Sequence, residues 1–373
     1  MLRFLKIGAL SVIGIVLVFF IVTIAFVNMS PQFGGVPDAD QQRFLSKLPN
    51  YQNGKFKNQI PTHVGLSFRQ TVSVLGQFLF SNSPDKTPMT PLPMGQIDSA
   101  SLADRSTSVA RATWFGHSAV LLEIAGNKIL LDPMLGQHAG PLPLVSPKRY
   151  NEDLPIEIEE LPAIDAVVIS HDHYDHLDYG SIRRLKGKVE KFFVPLGVGA
   201  HLRSWGVAAD RITELNWWEE AQWNGLTFVC APARHFSGRG LKGNTTLWSS
   251  WIIQTSHQQL YFSGDSGYGP HFKEIGDRYG SMDFVMMECG QYNDLWTAIH
   301  MMPEETVQAT IDVKGKLLMP IHWGAFTLAM HPWTDPINRV HAEASRRQLP
   351  ITTPKIGEVI LLDHENIPNT RWW

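Results

Sequence analysis

The sequence has no excess of positive charge. Its 32 lysine and arginine residues are outnumbered by 35 aspartate and glutamate residues, which gives a formal net charge of −3. Proteins that bind nucleic acid usually carry a basic surface, because phosphate contacts dominate their affinity. The composition therefore argues against nucleic acid as a partner and against RNA as a substrate.

Cysteine is almost absent. Cys230 and Cys289 are the two cysteines of the sequence, and each ends an apolar run typical of a buried strand. A free cysteine behaves as a small hydrophobic residue, so we expect two buried and inert thiols. A disulfide between them is the alternative in an oxidising compartment.

Charge is also missing near the N-terminus, where residues 7–27 are uncharged and mostly apolar. At about 1.5 Å per residue, such a helix matches the roughly 30 Å hydrocarbon core of a bilayer. No small-x-small cleavage site follows at residues 26–30, which favours a retained single-pass anchor over a cleaved signal peptide. Arg3 and Lys6 precede the span, so the remainder is predicted on the non-cytoplasmic side, which is the periplasmic face of the inner membrane in a bacterium.

The remaining length supports a proper core, since 44% of the 373 residues are hydrophobic. We expect an anchor over residues 1–28, a tether and N-terminal extension over 29–108, and the main domain over 109–373. Apolar residues at helical spacing predict an amphipathic helix within residues 65–82. This helix either packs on the main domain or faces the membrane as a lid.

Short apolar strands and helices alternate loosely from Arg111 onward. This alternation predicts two mixed sheets packed together with helices outside, which is an α/β sandwich. Helices are predicted over 178–186 and 303–313. Strands are predicted near 112–115, 119–124, 128–131, 164–170, 192–195, 226–231, 251–255, 259–263, 283–288 and 317–321.

One predicted strand ends in a dense group of polar side chains: His171, Asp172, His173, Asp175 and His176. Alternate residues of an extended segment face the same way, so His171 and His173 can point at one metal ion. Asp175 and His176 follow a turn into a helix and are placed to serve a second ion. A polar loop rich in histidine is the alternative, but such clusters are the usual ligand set for zinc-like ions.

Three later strands also end beside a side chain that can bind metal, namely His235, Asp265 and His322. Strand ends at one edge of a sandwich converge, so we expect these residues near the first cluster. Each histidine alone would be an ordinary structural residue, but two metal ions need more ligands than the first cluster supplies. Zinc is the expected metal, with manganese or iron as alternatives, because imidazole and carboxylate accept all three.

The order of these motifs resembles the metallo-β-lactamase superfamily, and within it the N-acyl-phosphatidylethanolamine-hydrolysing phospholipase D family with its bacterial membrane-anchored relatives. The resemblance covers residues 31–365. The matching stretches are Leu131–Pro133, Trp114–Ser118, His171–Asp178, Arg234–Phe236, Ser263–Tyr268, His300–Glu305 and Ile321–Phe326.

The resemblance implies a four-layer αβ/βα sandwich with a binuclear zinc site. One ion would be held by His171, His173 and His235. The other ion would be held by Asp175, His176 and His322, and Asp265 would bridge the two ions.

Four further residues receive roles from the same resemblance. Asp132 and Asp178 would orient ligand imidazoles, the alternatives being a turn aspartate and a helix-start aspartate. His300 would contact the lipid phosphate, with a structural histidine before a helix as the alternative. Tyr268 would help to bind the substrate.

The implied reaction is hydrolysis of a membrane phospholipid by a hydroxide shared between two metal ions, with Asp175, Asp265 and His300 closest to the chemistry. Hydrolysis of a lactone or β-lactam is a second hypothesis. A third is a non-catalytic membrane protein that keeps metal for structure, although a structural zinc site needs only four ligands. The chain departs from the family at Gly290–Asn293, at Ala325 and in its anchor, which leaves the exact lipid open.

Overall fold

The computed structural model of the chain describes residues 2–65, 67–80, 85–103, 109–363 and 367–373, with side chains except at residues 2, 3, 5–9, 78–80 and 103. The helices are α1 Leu2–Met29, α2 Ala39–Leu45, α3 Phe68–Phe80, α4 Ser99–Ala103, α5 Tyr179–Leu185, α6 Gly199–Ser204, α7 His271–Tyr279, α8 Pro303–Asp312 and α9 Asp335–Arg347. The strands are β1 Tyr51–Gln52, β2 Lys55–Phe56, β3 Arg111–Trp114, β4 Val120–Ile124, β5 Asn127–Leu131, β6 Ile164–Val168, β7 Val189–Pro195, β8 Ile212–Leu215, β9 Glu220–Trp223, β10 Leu226–Ala231, β11 Ser250–Gln254, β12 Gln259–Phe262, β13 Phe284–Glu288, β14 Leu318–Ile321 and β15 Val359–Leu361.

Helix α1 exposes its apolar side chains, and by length and composition its segment Leu10–Met29 is able to cross a membrane. The end of the helix is attached to the main domain by specific contacts. The Phe33 ring packs edge-on against Phe26 at 5.5 Å and against Tyr174 at 6.2 Å between centroids. Arg239 Nε donates to the Gln32 carbonyl at 2.9 Å. The apolar helix therefore meets the loop that carries the histidine cluster.

Residues 38–56 of the N-terminal extension contain more regular structure than the tether that the sequence predicts. Helix α2 begins at Asp38, whose side chain accepts from Gln41 N at 2.8 Å while Gln41 Oε1 accepts from Asp38 N. This reciprocal capping explains why so short a helix forms. The hairpin of β1 and β2 delivers Phe56, which is fully buried, to the core. Residues 66, 81–84 and 104–108 of this predicted extension lie outside the described residues.

Two sheets form the main domain, and both change from antiparallel to parallel pairing. The first has the order β15-β3-β4-β5-β6-β7-β8 and the second the order β14-β13-β12-β11-β10-β9. Pairing is parallel from β5 to β8 in the first sheet and from β12 to β14 in the second. The carboxyl ends of those parallel strands carry most of the predicted ligands.

Alternation along the strands of the first sheet divides the core into layers. Leu131 and Val168 belong to the central cluster between the sheets, whereas their neighbours Leu130 and Val167 pack with Ile182 of α5. Successive side chains of a strand face opposite sides, so a strand buried on both faces is apolar throughout. Helix α8 lies against β13 and β14 of the second sheet. The predicted four-layer α/β sandwich is therefore confirmed.

The interface between the sheets is close-packed. Phe193 of β7 and Phe228 of β10 stack at 4.1 Å between centroids with 13° between their planes. Cys230 and Cys289 are both buried and free. The prediction of two buried thiols is therefore confirmed, and they behave as small apolar residues in this core.

A short backbone ladder links the two sheets at one edge. His117 N donates to the Trp323 carbonyl at 2.9 Å, and His322 N donates to the His117 carbonyl at 3.0 Å. His117 and His322 have φ angles of 55° and 67°, and Asp132 nearby has 36°. A residue other than glycine pays about 1–3 kcal/mol for such a conformation, so the surrounding structure must hold these three in place.

Candidate metal centre

The site begins where strands β5 and β6 end. Asp132 follows β5, and its Oδ1 accepts from Ser170 N at 2.7 Å while its Oδ2 lies 2.7 Å from His176 Nδ1. Ser170 and His176 both belong to the segment after β6. Their contacts with Asp132 hold this segment at the edge of the sheet. Through its contact with His176, Asp132 would orient this imidazole.

Three histidines form the first group of candidate ligands. His171 Nε2 and His235 Nε2 lie 2.8 and 3.2 Å from His173 Nδ1. The other ring nitrogens of two members are held from outside, because His171 Nδ1 is 2.9 Å from Ser170 Oγ and His235 Nδ1 is 2.9 Å from the Ile299 carbonyl. Three imidazole nitrogens therefore converge on one point, as a metal site requires.

The second group lies beside the first and contains a residue that sequence reasoning missed. Asp175 Oδ2 lies 3.4 Å from His176 Nε2 and 2.9 Å from His117 Nε2. His322 belongs to the same group of potential ligands. His117 is fully buried and adds a fourth side chain to the three that we expected.

Asp265 lies between the two groups. Its Oδ2 is 3.1 Å from His176 Nε2 and 3.8 Å from both His171 Nε2 and His235 Nε2, while its Oδ1 is 3.1 Å from His322 Nδ1. One carboxylate thus faces histidines of both groups. This is the position that a bridging ligand needs.

The donor set fits bound cations. Among the described residues, His176 Nε2 and Asp265 Oδ1 are buried polar atoms that make no hydrogen bond of suitable geometry, although each lies 3.1 Å from a polar side-chain atom. Buried polar atoms normally have a hydrogen-bond partner. Burial lowers the pKa of His171, His235 and His322 well below the usual range, which favours neutral imidazoles with free lone pairs. Burial alone would raise the pKa of Asp265, but the surrounding histidines, His176 foremost, hold it well below its usual value.

A cavity of about 380 Å³ opens over the cluster. Candidate ligands, His300 and Gln291 line one part of it, and apolar side chains line the rest. The apolar part consists of Val64, Val74, Phe236, Trp296, Ile299 and Leu328. A volume of this size suits a small ligand or one segment of a larger one.

His300 lies at the cavity between the cluster and a buried carboxylate. Its ring stacks on His322 at 5.2 Å, and its Nδ1 is 3.2 Å from Glu288 Oε2. Burial lowers the pKa of His300, but Glu288 outweighs this effect and the pKa is raised. For the Glu288 carboxyl group, burial has the opposite effect and raises the pKa to about 7. Glu288 was not among the predicted site residues.

Two of the expected roles need correction. The hydroxyl of Tyr268 donates to Asp312 Oδ2 in α8, and this residue lines a separate open groove instead of the cavity over the cluster. Asp178 caps helix α5, because its Oδ2 accepts from Ser181 N at 2.7 Å and from Ser181 Oγ at 2.6 Å. Tyr268 is therefore not placed to bind substrate, and Asp178 is the helix-start aspartate of the alternative.

Comparison with known proteins matches residues 127–323 to the Beta-lactamase superfamily domain. An uncharacterized protein of Mycobacterium tuberculosis is 42% identical over 333 residues, which cover 88% of each chain. The N-acyl-phosphatidylethanolamine-hydrolyzing phospholipase D 1 of Caenorhabditis elegans is 37% identical over 230 residues, covering 58% of this chain and 64% of the worm protein.

The fold has counterparts among solved structures. The isothiocyanate hydrolase from Delia radicum gut bacteria superposes with a TM-score of 0.54 at 21% identity, covering 67% of this chain and 98% of that chain. At that identity the likeness concerns the fold alone.

Proposed function

This chain belongs to the metallo-β-lactamase superfamily and is a metal-dependent hydrolase, and from that premise we propose that it hydrolyses a membrane phospholipid. The proposed reaction is that of a phospholipase D acting on an N-acyl phosphatidylethanolamine. The similarity to the worm enzyme, whose name states this activity, supports the proposal.

The observation that carries the proposal is the mixed character of the cavity. His300 and the candidate ligands supply a charged, hydrogen-bonding end, and Val74, Trp296 and Leu328 supply apolar walls. A phospholipid has the same division between a phosphodiester and its acyl chains. A small polar lactam would leave the apolar walls without a partner.

The proposal includes the lipid bilayer as a partner. Helix α1 is able to anchor the chain, and its end contacts Tyr174 through Phe33, directly beside His173 and Asp175. The anchor would hold the cavity close to a supply of phospholipid. We further propose the non-cytoplasmic side for the main domain, because Arg3 and Lys6 precede the span.

Two zinc ions are the proposed cofactors, and the binding groups are those whose side chains converge. His171, His173 and His235 would hold one ion, and Asp175, His176 and His322 the other, with Asp265 facing both. When bound, such ions lower the pKa of water and stabilise negative charge on phosphate oxygens.

The chain's own residues would then position the substrate. Glu288 raises the pKa of His300, and in the protonated ring Nε2 also carries a hydrogen, so it can donate a hydrogen bond to a phosphate oxygen at the cavity. In the reaction the oxygen of water forms a bond to phosphorus, the bond from phosphorus to the headgroup oxygen breaks, and that oxygen takes up a proton. The apolar walls exclude bulk water from the acyl part of the substrate.

The test uses the purified full chain in mixed micelles with three substrates: an N-acyl phosphatidylethanolamine, the corresponding phosphatidylethanolamine and a chromogenic β-lactam. We expect phosphatidic acid and the N-acylethanolamine from the first substrate, loss of that turnover with chelator, and two metal ions per active chain by elemental analysis. The variant Asp265→Asn serves as the inactive control, since it perturbs the carboxylate that faces both groups.

Other outcomes assign the other functions. Rapid turnover of the β-lactam without turnover of either phospholipid would replace the proposal with carbonyl hydrolysis. Full metal content without any turnover would indicate a non-catalytic metal protein. One ion or none in active protein would disprove the two-metal assignment.

A further inference from the structure

Gln291 joins two loops that form apolar walls of the cavity over the metal centre. It is buried, and its side chain is part of the cavity lining. Its Nε2 donates to the Phe326 carbonyl at 3.0 Å, and its Oε1 accepts from Leu328 N at 2.8 Å. Both partners are backbone groups of one segment, so the side chain of Gln291 fixes the backbone that carries Leu328 at the cavity.

The backbone of Gln291 makes two further contacts. Its carbonyl accepts from Trp296 Nε1 at 2.9 Å, and its N–H donates to His331 Nε2 at 3.0 Å. His331 in turn stacks on Tyr292 at 4.4 Å between ring centroids. Trp296 and Leu328 both line the cavity, so the polar groups of one residue hold two of its apolar walls.

The position of Gln291 is fixed relative to the candidate ligands. Gly290 lies against the backbone of His322, because a β-carbon at this glycine would meet the His322 carbonyl oxygen at 2.2 Å. Gln291 itself has a φ angle of 62°, which a residue other than glycine keeps only where the surrounding structure holds it. The two walls are therefore held at a set place beside the metal centre.

We propose that Gln291 is a specificity-determining residue: it holds Trp296 and Leu328 in place, so that the site selects substrates with an alkyl chain beside the group at the metal centre. The inference rests on the proposed function, in which a phosphate lies at the metal centre and acyl chains lie along the apolar walls. A wall that is already ordered lets each methylene of the chain leave water without a further entropic cost. A loose wall loses part of this gain, because it must be ordered on binding.

Two substitutions separate the hydrogen bonds of Gln291 from its volume. Gln291→Met keeps the length of the side chain but leaves the Phe326 carbonyl and Leu328 N without their partner. Gln291→Gly removes the side chain and favours the positive φ, so the backbone contacts to Trp296 and His331 are retained. Because the side-chain hydrogen bonds hold the wall, both variants should lose selectivity.

The experiment measures dissociation constants by calorimetry for the metal-loaded full chain in nanodiscs. The ligands are inorganic phosphate, then ethyl, butyl and hexyl phosphate, with hydroxamates of matching chain length as a second series that binds metal ions without a phosphate. For wild type we expect about fourfold tighter binding per added methylene in each series. Both variants should fall to about twofold or less per methylene, while inorganic phosphate binds within about twofold of wild type.

Gln308→Met is the matched control. Gln308 on α8 also makes two side-chain hydrogen bonds, donating to Asp312 Oδ1 at 2.8 Å and accepting from Arg347 Nη2 at 2.8 Å, and it lies outside the cavity lining. A general loss of stability from this exchange lowers the thermal midpoint but leaves the gain per methylene at the wild-type value. Elemental analysis should return the same metal content for all variants.

A wild-type gain per methylene in Gln291→Met would overturn the inference, because the hydrogen bonds would then not set the wall. Equal weakening of inorganic phosphate and hexyl phosphate would overturn it too, since Gln291 would then support the metal centre as a whole. A wild-type chain with no gain per methylene in either series would have the same consequence.

The two series also distinguish this inference from the proposed function. Loss of the gain in both variants, in a chain that binds hydroxamates but hydrolyses no phospholipid and binds no phosphate, would disprove the proposed function and leave the role of Gln291 standing. Phospholipid turnover together with the wild-type gain in Gln291→Met would do the opposite.

Discussion

At the scale of single residues, the site depends on which nitrogen of each imidazole faces inward. Asp132 faces His176 Nδ1, the Ile299 carbonyl faces His235 Nδ1, and Glu288 faces His300 Nδ1. For His176 and His235 the outer acceptor fixes the proton on the outer nitrogen and leaves the lone pair of the inner nitrogen to bind a metal. These outer contacts come from strand ends and loops far apart in sequence, so the fold sets the chemistry of the site.

The two aspartates Asp132 and Asp178 should respond differently to substitution. Asp132→Asn weakens the hold on His176, so we expect about a 10- to 100-fold loss of metal affinity. Asp178→Ala removes a helix cap, so we expect about 1 kcal/mol less stability and unchanged metal affinity. Competition with a chromogenic chelator measures the first effect, and denaturant unfolding of the metal-loaded protein measures the second.

Each variant is the control for the other. Equal losses of metal affinity in both would mean that Asp178 also supports a ligand imidazole. An unchanged metal affinity in Asp132→Asn would mean that His176 keeps its orientation without this carboxylate.

Sequence reasoning found the seven candidate ligands because histidine and aspartate directly after apolar strands are a local signal. It missed His117 and Glu288, whose partners Asp175 and His300 are brought to them only by the fold. The Trp114–Ser118 stretch that carries His117 was itself a signal. Tyr268 was assigned wrongly because a motif specifies the residue but not the direction of its side chain.

At the scale of elements, helix α3 is unusual because its apolar face is exposed. Phe68, Val72 and Leu75 are 86%, 53% and 56% exposed, and they lie on one helical face. Val74 on another face lines the cavity. Of the two expectations for this helix, the membrane-facing one suits these three residues. Leu79 follows at the same helical spacing, but its side chain is outside those that the structure describes.

We predict that Val72→Glu combined with Leu75→Glu lowers turnover of phospholipid in vesicles by about tenfold or more, because charged residues are disfavoured at an apolar interface. Turnover of a water-soluble diester should be unchanged. The measurement is the turnover rate of the variant and of wild type on phospholipid vesicles and on the water-soluble diester.

Ser73→Glu is the control, because Ser73 is exposed and is not spaced three or four residues from Val72, Leu75 or Val74. Equal losses on vesicles and on the soluble diester would indicate damage to the cavity through Val74. A vesicle rate equal to that of wild type would refute the membrane-facing role of α3.

Ten strands of the main domain were predicted because runs of valine, isoleucine and leucine bounded by polar residues are a strong signal. The short or half-exposed strands β1, β2, β8, β9 and β15 were missed. Residues 226–231 were predicted with the bounds of β10 itself. Helix α9 was missed, although Pro336 near its start and buried Ile337, Val340 and Ala344 at helical spacing were available signals. Helix α7 was also missed. It is short, and its buried apolar residues Phe272 and Ile275 are too few to give a clear helical periodicity.

At the scale of the whole molecule, the proposed orientation in the membrane predicts where a protease can reach. If Arg3 and Lys6 stay in the cytoplasm, the main domain lies outside it. Protease added to intact spheroplasts should then digest the main domain, with a cytoplasmic protein as the marker of intact membranes. Full protection of the chain, followed by digestion after lysis, would reverse the orientation.

The ladder between His117, His322 and Trp323 joins two sheets that each contribute part of the candidate ligand set. His171, His173, Asp175 and His176 follow the first sheet, whereas His235, Asp265 and His322 follow the second. A growing chain therefore holds only the earlier four until the second sheet has docked. Contacts so distant in sequence form slowly, because a long loop must close first. Tight metal loading is thus expected to come late in folding, after the two halves have met, and a chain truncated before residue 322 should bind metal only weakly.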